Sequence, residues 1–376
     1  MSRGKLVRWG VPVAAVAVIG AAIGAGPVIA AVSGNPVLPE RSAQQLLADA
    51  AAAVQKDGLP PMSGTVLETA SLGLPALPQG AGAASPFSLL SGSHEAKVWY
   101  GSRDQFRLAV PGPMSETNVI VNGDQAWLWE SQSNKATRIK LAPGTADRPD
   151  RTHVPAAPAM TPQQAAEQLL AKVGEHSVVS VTNTTQVAGR SAYELVLAPK
   201  EGGSLIQDIR LALDGETYVP LRVQVYAKGS AEPAFEVGFT QVTFSAPAPE
   251  NFAFTPPAGA KVEEKTFGPF NEPEERREDL RGDFREGEVK TVGEGWTTVA
   301  VLPTPKADAP KPQAESGGPQ MPSLETILRS ATPVSGSWGS GKLITTKLVN
   351  ALFTDDGRLL VGAVTPEELT KAAGAR

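Results

Sequence analysis

Between residues 63 and 244 apolar and polar side chains alternate with a period of two, in short segments set apart by turn residues. That period fits a pleated strand and no helix, so a mainly antiparallel β fold is the first constraint on this chain. The segments that read as strands are 63–70, 95–100, 104–110, 117–122, 125–130, 136–141, 178–184, 191–198, 205–213, 218–227 and 234–244. Asn122-Gly123 and Asp214-Gly215 fall between such runs and predict tight hairpins. Two stretches break the pattern. Ser42-Ala43-Gln44-Gln45 is a capping box ahead of Leu46, Leu47, Ala50 and Val54, which predicts a helix over 43–56. Thr161, Pro162 and Gln164 start a second one, with Leu169, Leu170 and Val173 on one stripe and Gly174 as its stop, over 162–173.

A sheet with one wet face should be apolar on the other face only. Val98-Trp99-Tyr100, Trp127-Leu128-Trp129, Leu195-Val196-Leu197 and Leu211-Ala212-Leu213 are apolar on both. Such strands need two apolar environments. A curled, unclosed barrel covered by helices provides them and leaves an apolar concavity; a fully packed sandwich provides them too, and periodicity does not choose between the two.

The ends of the chain differ from its centre. Arg3, Lys5 and Arg8 precede an uncharged run from Val11 to Val32, which reads as an export signal over 1–32, or as an N-terminal membrane anchor over 11–32. Segments 72–92 and 142–160 read as Gly/Pro/Ala-rich loops. A half-barrel domain is expected over 33–265 and a charged connector of mixed sign over 266–290. A small α+β domain follows over 291–376, with a Pro-rich insert at 303–322. Its expected elements are a strand at 295–302, a short helix at 323–331, strands 341–353 and 358–364 joined by Asp355-Asp356-Gly357, and a last helix capped by Thr365-Pro366-Glu367-Glu368. The location is therefore extracytoplasmic. With no Cys in 376 residues, thiol catalysis, disulfides and lipidation at a cysteine are excluded. A net charge of −5 without a basic block argues against nucleic acid.

Catalytic signatures are scarce. His94, His153 and His176 lie in separate contexts with no metal-ligand spacing and read as surface residues. No G-x-S-x-G elbow is present. Gly336-Ser337-Trp338-Gly339-Ser340-Gly341-Lys342 matches part of a phosphate loop, but Leu343 follows where Ser or Thr must ligate Mg²⁺, and the next residues continue as a strand. The acidic residues of 272–279 are interleaved with Arg276 and Arg277 and lack the ligand spacing of a calcium loop. The chain is expected to be no enzyme and to need no cofactor or metal.

Three stretches carry a resemblance: Gly189-Arg190-Ser191-Ala192-Tyr193-Glu194-Leu195-Val196-Leu197-Ala198-Pro199-Lys200, then Leu213-Asp214-Gly215-Glu216-Thr217-Tyr218-Val219-Pro220-Leu221-Arg222-Val223, then Phe252-Ala253-Phe254-Thr255-Pro256-Pro257-Ala258-Gly259-Ala260. In this order they resemble the LolA-like superfamily of lipoprotein-sorting proteins, especially its MucB/RseB-type branch of sigma-factor regulators. The resemblance spans about residues 42–265. It implies an unclosed antiparallel β-barrel covered by helices that holds acyl chains in an apolar concavity. The C-terminal hairpin resembles the smaller second domain of RseB-type proteins, whereas the Pro-rich insert departs from it.

The expectation is a lipid- or lipoprotein-binding protein at a membrane surface. Trp99, Phe106, Trp127, Trp129, Leu195, Leu211, Val223, Phe235 and Phe239 are the candidates for the apolar site, and ordinary core packing is the competing reading for each. Two alternatives stand beside it: an envelope-stress regulator that binds an anti-sigma factor, and a structural envelope protein with a filled barrel.

Overall fold

A computed structural model describes residues 37–73, 91–141, 162–267, 290–303 and 331–375. The export segment 1–32, loop 142–160 and all but the last residue of the helix expected at 323–331 lie outside the described residues, as do all but the ends of loop 72–92, the connector and the Pro-rich insert.

Helix α1 (Ala43–Asp57) starts at the expected capping box, with the Ser42 hydroxyl accepting from the Gln45 amide and the Gln45 side chain accepting from the Ser42 amide. Strands β1 (Met62–Ser71), β2 (Ser91–Ser102), β3 (Gln105–Gly112), β4 (Ser115–Asn122), β5 (Gln125–Glu130) and β6 (Lys135–Leu141) follow. Next come helix α2 (Pro162–His176) and strands β7 (Ser177–Val187), β8 (Arg190–Pro199), β9 (Ile206–Asp214), β10 (Pro220–Ala227), β11 (Pro233–Thr243) and β12 (Lys261–Phe267). They form one twelve-stranded sheet in the order β12-β6-β5-β4-β3-β2-β1-β11-β10-β9-β8-β7. The end strands do not pair with each other, so the sheet is not closed into a barrel.

A second, six-stranded sheet is built from β13 (Lys290–Val292), β14 (Val299–Pro303), β15 (Thr332–Gly336), β16 (Gly339–Thr345), β17 (Asn350–Thr354) and β18 (Arg358–Gly362). Helix α3 (Pro366–Gly374) closes over it, capped by the Thr365 hydroxyl as expected. Leu343, Leu352, Leu360, Val364 and Leu369 make its core. The phosphate-loop look-alike is the β15–β16 hairpin.

Four expectations change. Gly174 does not end α2, which runs on to His176 because Lys200 holds its last turn: the Lys200 amide donates to the His176 carbonyl at 3.0 Å, and its ammonium donates to the Gly174 carbonyl. The strand at 295–302 begins instead with a one-turn 3₁₀ helix over Gly295–Thr297, Gly295 having φ 56°. The strand at 341–353 is cut at 346–349 because the Thr346 hydroxyl takes the amides of Leu348 and Val349 at 3.3 and 3.0 Å, offering the backbone a turn in place of a ladder. Strand β12 falls within a stretch that alternation hid: it pairs in parallel with β6, and its Glu263 and Glu264 meet Lys135 and Arg138 at 2.9 and 3.4 Å.

The two sheets touch. Ser204 and Val364 form a bridge, the Leu205 amide donates to the Ala363 carbonyl at 2.9 Å, and the Lys347 amide donates to the Leu72 carbonyl at 2.8 Å. Leu348, from the turn between β16 and β17, is buried in the main core with Val66, Ile209, Val225 and Val237. Trp296 packs on the same cluster and donates to the Ser177 hydroxyl at 2.8 Å.

Candidate functional site

Residues directly opposite in an antiparallel ladder share a face. One unbroken row therefore crosses the centre of the large sheet: Val181, Leu195, Leu211, Val223, Val237, Glu68 and His94. A parallel row holds Leu197, Ile209, Val225, Phe235 and Ala70. This is the face that the helices cover. Leu46 of α1 is buried against Tyr193, Leu195 and Leu213, and the Tyr193 hydroxyl donates to the Pro39 carbonyl at 3.0 Å. Helices α1 and α2 pack on each other and on β7.

The same face continues onto β2–β5, where Val98, Leu108, Val119 and Leu128 stand opposite one another, with Phe106 opposite Val121. Here the aliphatic surface changes character. Val98 is buried, but Leu108, Val119, Val121 and Leu128 are each only half-buried. The helix-covered face thus runs from a packed half on β7–β11 into a partly open aliphatic half on β3–β5.

The other face of β2–β6 is covered differently. After β11 the chain crosses it through a short 3₁₀ turn, Pro249–Phe252, and Phe252 is fully buried. The Phe254 ring sits 5.4 Å from Trp127 and 6.0 Å from Trp129, while Arg138 lies over Trp127 at 5.7 Å and Arg107 over Trp99 at 5.3 Å. Arg107 also donates to Asn118 at 3.0 Å and to the Asn251 carbonyl at 3.3 Å, which pins the strap to the sheet.

These registers divide the nine candidates. Leu195, Leu211, Val223 and Phe235 share the helix-covered face, and Phe106 lies on its β3 extension. Phe239 stands where two core clusters meet, packing against those of Val66 and of Leu221. Trp99, Trp127 and Trp129 stand on the opposite face, half-buried, with Phe254 against Trp127 and Trp129 and Arg107 over Trp99. The strap was legible only as sequence, since nothing in period-two alternation tells which side a following loop will cover.

The helix-covered face also holds a side chain that is not among the nine candidates. Glu68 is 4% exposed, and neither carboxylate oxygen has a hydrogen-bond partner. Burial pushes its carboxyl up to about 7, a shift that the positive charge of His94 opposes. Alternation carried the signal, because Glu68 falls in phase with Val66 and Ala70.

A second buried acid is satisfied. Asp214 is fully buried, takes both arms of Arg190, and accepts from the amides of Glu216 and Thr217 at 3.1 and 2.8 Å. Burial alone would raise its carboxyl, but Arg190 and the Thr217 donors outweigh it and hold it below the usual range. This knot fixes the β9–β10 turn. Among the described residues no group of three His, Asp or Glu could hold a metal ion, and no helix is long and apolar enough to cross a membrane.

No family model matches the sequence, and no curated protein matches it. Solved structures are similar in part. The complex of MucA and MucB from Pseudomonas aeruginosa aligns at TM-score 0.41 and 15% identity, covering 88% of this chain and 96% of that one. An uncharacterised conserved protein from Thermus thermophilus aligns at TM-score 0.33 and 10% identity over 58% of this chain and 98% of its own. A LolA superfamily protein from Nitrosomonas europaea aligns at TM-score 0.20 and 10% identity, covering 57% and 99%. The chain is similar to MucB and to LolA-superfamily proteins. Those are the groups that residues 189–200, 213–223 and 252–260 resemble, and overlaps this loose give no residue of this chain a role.

Proposed function

We propose that this protein is an exported, non-enzymatic binding protein that holds hydrocarbon tails, those of a lipid or of an acylated protein, against the helix-covered face of its large sheet. The observation that carries this is the contiguous aliphatic surface of Leu108, Val119, Val121 and Leu128, half-buried and outside the two cores into which the β7–β11 half of the same face packs. Each methylene buried there contributes about 0.8 kcal/mol, so one acyl chain laid along the face binds without polar chemistry. Phe106 extends the surface along β3, while Leu195, Leu211, Val223 and Phe235 of the same face form the packed floor beside it.

Protein purified from an exporting host should release lipid into organic solvent. Leu128→Asp should empty it, and Trp127→Asp, on the strap-covered face, should not. Mass spectrometry that finds no lipid, together with a melting temperature unmoved by fatty acid or lipopeptide, refutes the reading.

The docked second sheet favours a second reading, that of a regulator that senses acyl chains and binds the extracytoplasmic part of an anti-sigma factor. Leu348 and Trp296 enter the main core from that sheet, an attachment for which a simple carrier has no need. Membrane pull-downs separate the two, since an anti-sigma factor as principal partner selects the regulator and lipoproteins alone select the carrier.

A further inference from the structure

Buried carboxylates in folded proteins are paired, because an unpaired one forfeits its hydration with nothing in return. Glu68 breaks that rule on the proposed binding face. It is 4% exposed with both oxygens free of hydrogen bonds. Its neighbours along β1 on that face are Val66 and Ala70, buried at 2% and 4%, and Val237 stands opposite it on β11. His94, opposite on β2, is the titratable group whose charge reaches it, and that ring meets the Ser91 carbonyl at 3.0 Å. From His94 the same face leads along β2 through Ala96 to Val98, four residues or about 13 Å at about 3.3 Å each, and there the half-buried aliphatic surface begins. An acceptor with no donor therefore lies about 13 Å, past buried Ala96 and Val98, from a half-buried apolar surface.

We infer that Glu68 is the head-group anchor of that surface: the protein binds amphiphiles whose polar end is a hydrogen-bond-donating cation, a primary or secondary ammonium on an alkyl chain. An ionised carboxylate accepts only, so the complementary head is a donor, and a cationic donor makes the stronger, charge-assisted bond. An anionic head would bring a second negative charge to an already desolvated one. The inference rests on the hydrocarbon-binding reading and adds the head-group chemistry to it.

The test measures binding of dodecylamine, dodecanol and dodecanoate by calorimetry at pH 7.5, each below its critical micelle concentration, on the full exported chain. Dodecylamine should bind at least tenfold tighter than dodecanoate, with dodecanol between them. Glu68→Gln, which keeps the side-chain shape and removes the charge, should abolish the amine's advantage and leave dodecanol within about twofold. Leu128→Asp should weaken all three. Circular dichroism establishes that each variant is folded. Equal affinity for amine and carboxylate in the unaltered protein, or an amine preference that survives Glu68→Gln, overturns the anchor and leaves hydrocarbon binding intact. Binding of none of the three overturns both.

Discussion

Glu68→Gln also tests the burial of that carboxyl without any ligand. Glu68 titrates near 7 in the folded chain against 4.5 as its ordinary value, because burial penalises the charged form. The folded state therefore holds a proton that the unfolded chain has released, and stability falls as pH rises from 4.5 to 7. At 1.36 kcal/mol per pH unit the loss amounts to about 3 kcal/mol over that window. Below 4.5 both states are protonated and the group contributes nothing; above 7 the whole penalty is present. The glutamine side chain of the variant keeps the shape and carries no charge, so its stability lacks this slope. Urea unfolding at pH 5 and pH 8 should give a difference between variant and parent that shifts by about 2–3 kcal/mol in favour of the variant at pH 8. A shift below about 0.5 kcal/mol would mean that the carboxyl is solvated in solution, and the argument from its isolation would fail with it.

Two further outcomes follow from packing. Leu348→Ala, which withdraws the second sheet's plug from the Val66–Val225 cluster, should cost about 2–4 kcal/mol and make the unfolding of the two sheets separable by tryptophan fluorescence and calorimetry. Asp214→Asn should cost about 3 kcal/mol at pH 7 by leaving Arg190 half-paired, and the cost should shrink as pH falls below 3.8, since the parent's unfolded chain then takes up a proton that its folded, depressed carboxyl still refuses.

Much of the large sheet was legible because its signals are local. Period two located every strand from β1 to β11, and hydroxyl and amide caps located the starts of α1 and α3. The misses share a cause, which is a tertiary contact overriding a local signal. Gly174 is a helix stop until Lys200 captures the turn beyond it. The charges of β12 break the alternation that marks a strand until β6 supplies the opposite ones. Alternation also showed that Trp127, Leu128 and Trp129 need apolar cover on both sides, yet cover is a property of distant chain, and Phe254 meets the tryptophans from more than 100 residues away.

That division of cover bears on function. Had both faces of β3–β5 been capped from within, the surplus apolar surface in the sequence would have been spent on a sandwich. Instead the aromatic face receives the strap, with Arg107 and Arg138 stacked on its half-buried rings, while Leu108 to Leu128 on the aliphatic face, half-buried too, join neither core of that face. The helices lie over the β7–β9 end, and Leu348 and Trp296 fill the space against Val66, Ile209 and Val225. Glu68 sits in the row that joins the packed half to the open one. A sequence under selection for packing alone gains nothing from a bare carboxylate there, since Gln or Leu would fill the same volume without the charge. Its presence at that junction is the residue-level reason to look for a ligand with a donor at one end and hydrocarbon at the other.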